Sequence, residues 1–530
     1  MIEPRQVDVV IVGAGFAGLY ALYRMRVAGF TVQAFEAADD VGGVWQWNRY
    51  PGARCDVQSL EYSYSFSDPL QQEWAWSERY ATQPEILRYL RHVADRFDLR
   101  RDIAFETHVV SARFDEQSGL WDIGTETGAR ILARTCIMAS GSLSVTRLPD
   151  IPGIETFGGA IYHTGNWPRD GVNFSGQRVA VIGTGSSGVQ SIPLIAQQAA
   201  HVTVFQRTPN FVVAAKNGPL DPDVAAAWKA SYADYRARAK RVGSLYDFSD
   251  HRAADLSDEG REAELARRWD AGGVNFVHAF NDVLTDQAAN DAAATFVRAR
   301  IRELVRDPRV AERLCPTDHP IGAKRICVGS DYYATYNRSN VTLVDLRAAP
   351  FSGVTGRMIE TAHASIEVDA IVCATGYDAL TGALARIDIR GRGGVALKGK
   401  WAEGPRNYLG LMSAGFPNLF VITGPGSPSV LVNMVVGIEQ HVDWIADCLA
   451  HLAATGAATI EPTSAAEDGW VQHVNDEADL TLFPKANSWY NGANIPGKPR
   501  VFLPFVGGIG RYRDICDQVA ASGYEGFAIQ

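Results

Sequence analysis

The chain has 530 residues and only seven cysteines, and no two of these form a CxxC pair. Cys55, Cys136, Cys315, Cys327, Cys373, Cys448 and Cys516 are scattered and odd in number. That argues against a disulfide framework and against a zinc-ligand pattern, so no metal site is expected. The near cysteine pair that a flavin disulfide reductase needs is also missing. A basic excess is lacking too. The formal net charge is −10, so neither nucleic acid nor an anionic membrane surface is expected as a partner. Apolar runs long enough to span a bilayer do not occur. The opening residues, Met1-Ile-Glu-Pro-Arg, show no charged stretch followed by an apolar one, so no secretory leader is expected. A reducing cytoplasm fits these absences, with a monomer or a weak homo-oligomer as the expected state.

What is present is an ordinary globular composition, 46% hydrophobic and 21% charged, over a length that suits two or three domains. Two glycine-rich loops stand out: Gly13-Ala-Gly15-Phe-Ala-Gly18 and Gly183-Thr184-Gly185-Ser186-Ser187-Gly188. The first follows the strand-like run Val7-Asp-Val-Val-Ile-Val and opens a helical pattern over 16–28. A second strand-like run then ends in Glu36. Strand, glycine turn, helix and a strand-end acid about 20 residues on form a dinucleotide-binding βαβ unit. The second loop repeats the order, with a helix expected over Ser186–Ala200. Its next strand, His201–Arg207, ends in Arg207-Thr208 and not in an acid. A strand-end carboxylate accepts from a ribose 2′-hydroxyl and repels a 2′-phosphate, whereas a guanidinium attracts it. The first site therefore suits FAD and the second NADPH.

Two more strand-like runs, Arg134–Gly141 and Asp369–Asp378, read as the closing strands of the two units. The chain is expected to leave the first unit near residue 145 and to return to it after 378. The expected fold is α/β, with two Rossmann-like domains for FAD and NADP, the second inserted in the first, plus a helical insertion. The boundaries are 1–145 with 378–530, 146–212 with 327–377, and 213–326 for the helical part.

Between the two loops lies Phe157-Gly-Gly159-Ala-Ile-Tyr-His163-Thr-Gly-Asn-Trp167-Pro168. This segment resembles the fingerprint of the type I Baeyer–Villiger monooxygenases, class B flavoprotein monooxygenases. Gly42-Gly43-Val44-Trp45 and Tyr50-Pro51-Gly52-Ala53-Arg54-Cys55-Asp56 strengthen the resemblance, which spans the chain from Val7 to its tail. Gly424–Leu431 and Trp489–Lys498 are most similar to the phenylacetone and steroid monooxygenases within that family.

The resemblance implies that NADPH reduces FAD and that reduced flavin and O2 give a flavin peroxide. The peroxide inserts one oxygen atom beside a ketone carbonyl, giving an ester or lactone, with sulfoxidation as a further activity. It implies Arg325 as the catalytic cation and Asp56 as the carboxylate that holds it. It places Lys324 with Arg207 and Thr208 on the 2′-phosphate, and Trp489 over the nicotinamide nucleotide. Contacts to FAD are implied at Val44, Trp45, Trp47, Tyr62 and Met434 and, at the adenine through its backbone, at Val109, with nucleotide contact at Gln190. The implied substrate pocket is Val57, Gln83, Ser142, Ser429, Val430, Leu431 and Met434. His163 and Trp167 are read as coupling the domains, not as reacting groups. Rival classes are a flavin monooxygenase that oxygenates nitrogen or sulfur, a flavin disulfide reductase and a non-catalytic nucleotide sensor. Trp167-Pro168, Asp56 and Arg325 favour the Baeyer–Villiger reading over the first. Arg207→Ala should raise KM for NADPH far more than KM for NADH; equal changes in steady-state assays would refute the phosphate role.

Overall fold

The computed structural model describes residues 5–530; the four residues before them, where no leader is expected, lie outside the described residues. Strand Arg5–Val12 carries the first apolar run and its last four residues are buried. Runs of β-branched residues suit a strand covered on both faces. This strand pairs in parallel with Val32–Phe35 on one side and Arg130–Met138 on the other. From edge to edge the first sheet runs Asp388–Arg390, Val109–Asp115, Leu120–Thr125, Arg130–Met138, Arg5–Val12, Val32–Phe35 and Ile103–Ala104. Leu419–Val421 also pairs with Arg130–Met138.

The second sheet is wholly parallel, in the order Val341–Asp345, His201–Gln206, Arg178–Ile182, Ala370–Cys373 and Ala160–His163. Every one of its strands lies in sequence between Met138 and Asp388, where the chain rejoins the first sheet. The second unit is thus inserted in the first. Helices Pro222–Ala230, Tyr232–Val242, Asp258–Ala271, Gln287–Leu304 and Pro308–Leu314 form the helical insertion. Its entry strand Val212–Ala214 pairs in parallel with its exit strand Cys327–Gly329, Val212 opposite Cys327. This zipped neck fixes the residues just before Cys327, which include Lys324 and Arg325.

Some local expectations shift. The second glycine-loop helix ends at Gln198 and the following strand at Gln206, so Arg207 stands just past the sheet edge. The loop holding Trp45 and Trp47 is one helical turn, Val44–Trp47, entered through Gly43 at φ 54°. The fingerprint is built into the second sheet: Ala160–His163 is its edge strand, in register with Ala370–Cys373. No helix of the described residues is long and apolar enough to cross a membrane. All seven cysteines are buried free thiols.

The two units interlock through the loop 45–56. Tyr50 Oη donates to Gln190 Oε1 at 2.8 Å, and Gln190 Nε2 donates to the Arg54 carbonyl at 3.2 Å. The Trp167 N–H donates to the Trp47 carbonyl at 3.1 Å. Gly52 sits at φ +84°, and a Cβ there would lie 2.5 Å from the Gln190 carbonyl oxygen. Gly52→Ala should therefore cost about 2–3 kcal/mol of stability by urea denaturation, from left-handed strain plus the displaced helix. A loss below about 0.5 kcal/mol, the range of neutral surface changes, would contradict this interface.

Candidate active site

Both glycine loops have one construction. Gly13 and Gly183 adopt φ +107° and +109°, where a Cβ would strike the carbonyl oxygens of Ala139 and Ala374 at 2.5 and 2.4 Å. Gly18 and Gly188 pack on their own loops, with a Cβ reaching the Gly13 and Gly183 carbonyl oxygens at 1.8 and 2.3 Å. The middle glycines differ. A Cβ on Gly15 would approach Gly43 Cα at 3.2 Å, whereas one on Gly185 would meet open space. Helices Phe16–Val27 and Ser186–Gln198 start directly on Gly15 and Gly185. A glycine has no side chain to occupy the first-turn N–H groups, so these point outward with the positive end of the helix dipole. That arrangement suits a pyrophosphate.

Glu36 directly follows the second strand of the first unit, Val32–Phe35. Its carboxylate accepts from the Ala14 N–H at 2.7 Å and the Ala38 N–H at 2.9 Å. Burial raises its pKa above the usual value, against those N–H groups. The Thr107 N–H donates to the Glu36 carbonyl at 2.9 Å, which sets Val109, the start of its strand, beside the same end. Trp45 Nε1 donates to Tyr62 Oη at 3.2 Å, and Phe16 packs edge-on against Tyr62 at 5.0 Å. Gln83 donates to the Trp45 carbonyl, and Val57 packs in the same apolar cluster as Trp45 and Tyr62.

In the second unit, Thr184 Oγ1 donates to the Thr208 carbonyl at 3.1 Å. Ser186 Oγ lies 3.7 Å from Cys327 Sγ. The Gln190 amide is engaged with Tyr50 and Arg54, so it ties the units together. Arg207 is exposed past its strand and Lys324 is half-buried nearby. Burial lowers the Lys324 pKa, and the like charges of Arg207 and Arg347 lower it further.

The first unit and the neck of the insertion meet at Arg325. Its Nε and Nη2 donate to the two oxygens of Asp56 at 3.0 and 2.8 Å, a bidentate pair. Its Nη1 donates to the Val430 carbonyl at 3.0 Å. A guanidinium has five N–H groups; the two others lie beside the Tyr490 hydroxyl, which also interacts with the guanidinium. Burial opposes the charge, but Asp56 and the adjoining Tyr490 and Tyr246 hydroxyls outweigh it and hold the pKa above its ordinary value. Arg325 is therefore a permanent cation.

Around it, Ala323, Val430, Phe483, Ala486 and Tyr490 form one apolar cluster that Leu431, Met434 and Trp489 join. Ser429 is strained at φ 41° and its Oγ donates to the Thr423 carbonyl at 3.1 Å. Four of the expected pocket residues thus converge on one loop. Ser142 stands elsewhere, at the crossover, where its carbonyl accepts from the Leu380 N–H at 2.8 Å. Sequence reasoning misses the buried Tyr490 and the half-buried Tyr246, both beside Arg325. Tyr490 directly follows Trp489, so adjacency is the clue; no local pattern points to Tyr246.

The fingerprint is built for packing. Phe157 lies over Gly159, where a Cβ would come within 2.7 Å of the ring. Trp167 is buried against Tyr162 and Phe174, with ring centroids 5.5 and 6.2 Å away, and Pro168 follows it at the surface. His163 Nδ1 accepts from the Gly165 N–H at 3.0 Å, so the ring N–H is assigned to Nε2, 3.3 Å from Thr375 Oγ1. Burial lowers its pKa to about 4. His163 is neutral at working pH and ties the ends of two strands.

Residues 6–220 match the family model for flavin-binding monooxygenase-like proteins. The chain is 44% identical to a Baeyer–Villiger monooxygenase of Pseudooceanicola batsensis, over 98% of this chain and 95% of that protein. It is 41% identical to the acetone monooxygenase (methyl acetate-forming) of Gordonia sp. (strain TY-5), over 98% and 99%. Among solved structures it is similar to an oxidized steroid monooxygenase bound to NADP, with TM-score 0.95, 55% identity and 99% coverage of both chains. The fold and the site define a flavin-dependent monooxygenase. Within that class the chain belongs to the Baeyer–Villiger monooxygenases.

A buried neutral His163 makes a specific pH prediction. Its folded pKa lies below the ordinary value of about 6.5, so the unfolded chain takes up a proton first as pH falls. Its contribution is complete above pH 6.5 and is lost as pH falls toward 4. His163→Gln should shrink the drop in stability between pH 6.5 and pH 4 by up to about 3 kcal/mol, while leaving the pH profile of turnover near neutrality unchanged. A turnover profile that loses a limb near pH 6.5 in that variant would show that the imidazole reacts.

Proposed function

We propose that this enzyme uses NADPH and O2 to insert one oxygen atom beside a ketone carbonyl, giving an ester or a lactone. The single observation that carries the reading is the Arg325–Asp56 pair beneath the Val430 carbonyl, where the first nucleotide-binding unit meets the neck of the insertion. The glycine loops fit the two cofactors. Gly13, Gly15 and Gly18 would hold the FAD pyrophosphate and Glu36 its ribose, with Trp45, Tyr62 and Met434 available to the flavin. Gly183, Gly185 and Gly188 would hold NADPH, with Arg207, Thr208 and Lys324 taking its 2′-phosphate. Reduced FAD and O2 supply the oxygen atom. Parallel-sheet crossings support assigning 1–145 with 378–530 to FAD, 146–212 with 327–377 to NADPH, and 213–326 to the helical insertion.

The chain's own groups supply binding, orientation and a fixed field. With the cofactors bound, Arg325 would hold a permanent positive charge beside the place where negative charge develops on oxygen. It cannot give up its proton to that oxygen, and a lysine could. Asp56 grips the opposite edge of the guanidinium, so the cation keeps its direction without reorganising during the reaction. Val430 fixes the third side and couples the cation to the pocket wall. Val57, Leu431, Met434 and Trp489 cover the site with apolar surface, which strengthens the field by excluding water. His163 and Trp167 hold the strand ends that carry the two units.

Simple and cyclic ketones are the substrate class, and the apolar side chains of Val57 and Val430 set the room for them. The net charge of −10 speaks against nucleic acid as partner. Buried free thiols support a reducing, cytoplasmic setting. Exposed apolar side chains such as Val27, Phe248 and Leu480 come from separate elements, which supports a monomer or weak homo-oligomer.

Arg325→Ala should leave FAD bound and reducible by NADPH while ester formation falls by about 10²–10³-fold or more, the range for losing one preorganised donor to an oxyanion. NADPH consumption would continue without ester. Normal ester yield from the variant, measured by product chromatography on a ketone panel, would overturn the assignment.

A further inference from the structure

The C-terminal edge of the second sheet carries an ion-pair chain that uses residues outside the roles above. Strands His201–Gln206 and Val341–Asp345 are parallel neighbours, with Gln206 opposite Asp345. Arg207 and Arg347 therefore leave the sheet at the same edge, one and two residues past its last pair. Ligands bind at this edge of open parallel sheets. Arg347 Nε donates to the Arg207 carbonyl at 2.9 Å. Its Nη2 lies 3.3 Å from Asp318 Oδ2. The other oxygen of Asp318, Oδ1, accepts from His319 Nδ1 at 2.6 Å.

Three cations from distant parts of the chain thus converge: Arg207, Arg347 and Lys324. Two carboxylates accompany them. Asp345 is turned to the Arg347 backbone N–H at 3.0 Å, and Asp318 is the acid that touches the Arg347 side chain. His319 is nearly fully buried, and burial lowers its pKa, so it is a neutral donor that steadies Asp318 without adding charge. Arg347 itself is 44% exposed at its side chain, so a ligand at this edge can reach its guanidinium. Like charges held together in this way gain most from an anion of high charge, and a phosphate monoester carries about −1.5 to −2 at neutral pH.

We propose that Arg347 is a specificity-determining residue for NADPH over NADH: Asp318 holds its guanidinium in the free enzyme, and the 2′-phosphate takes Asp318's place when NADPH binds. The inference rests on the reading of Arg207, Thr208 and Lys324 as the phosphate site. Asp318 is then a placeholder that keeps Arg347 ordered and competes with the ligand, and the Arg347 bond to the Arg207 carbonyl aligns the two guanidiniums on one anion. A bidentate guanidinium–phosphate contact is the strong form of such a bond.

The test compares three variants by steady-state kinetics with NADPH and NADH, and by the thermal shift that 2′,5′-ADP and 5′-AMP give to the holoenzyme. Arg347→Gln should lower the NADPH-over-NADH preference in kcat/KM by about tenfold, through KM for NADPH, and should reduce the shift from 2′,5′-ADP but not that from 5′-AMP. Asp318→Asn should do the opposite, lowering KM for NADPH several-fold, because the competing acid is gone. Equal losses with both nucleotides in Arg347→Gln, or weaker NADPH binding in Asp318→Asn, would overturn the exchange. Arg207→Ala separates the two layers of the argument. If it leaves the preference intact, the phosphate lies elsewhere and the underlying reading fails. If it collapses the preference while Arg347→Gln does not, only the role of Arg347 fails.

Discussion

The site depends on one constraint: a guanidinium that is mostly withdrawn from water must be paired on all the sides that protein covers. Arg325 and Asp56 each expose 23% of their side chains, and their bidentate contact joins segments 269 residues apart. Asp56 comes from the loop that interlocks the two units, Arg325 from the neck of the insertion, and the Val430 carbonyl from the chain after its return to the first sheet. Removing one partner of such a pair strands a buried charge, typically at about 3–5 kcal/mol. The cation therefore has its working direction only when all three segments are in place. An enzyme that must shield a reactive anion gains from this, because the field exists only in the assembled cleft.

The two glycine loops serve that centre by bringing two nucleotides to it from different sides. Each repeats one backbone solution. A first glycine is forced into positive φ against a neighbouring carbonyl, a third packs on its own loop, and a middle one keeps the helix N-terminus bare. The bulk of the second unit and the insertion act through their attachment points. The parallel pair Val212–Ala214 and Cys327–Gly329 pinches the insertion shut and fixes the stretch just before it, which carries Lys324 and Arg325 on successive residues.

Much of this is legible in the amino-acid sequence. The βαβ pattern, the acid at Glu36 and the base at Arg207 follow from spacing and charge, because those relations are local. The Asp56–Arg325 pair is legible only through family resemblance, since nothing local links residues so far apart. Arg347 escapes a sequence reading because its place beside Arg207 depends on which strands are neighbours in the second sheet. The turn at Val44–Trp47 reads as a loop because four residues give no helical period. The fingerprint reads as a linker because the edge strand Ala160–His163 is short and only partly buried, which leaves a weak alternating pattern.

Everything turns on whether the guanidinium of Arg325 faces the place where oxygen is transferred. A crystal structure of the enzyme with FAD and NADP bound decides this. The remaining N–H groups of Arg325 should lie within about 4 Å of the flavin's oxygen-reacting face, a distance at which two unit charges still couple by about 4 kcal/mol near a protein surface. Asp56 should still grip the opposite edge. A guanidinium turned to bulk solvent, with Asp56 paired to another residue, would contradict the assignment.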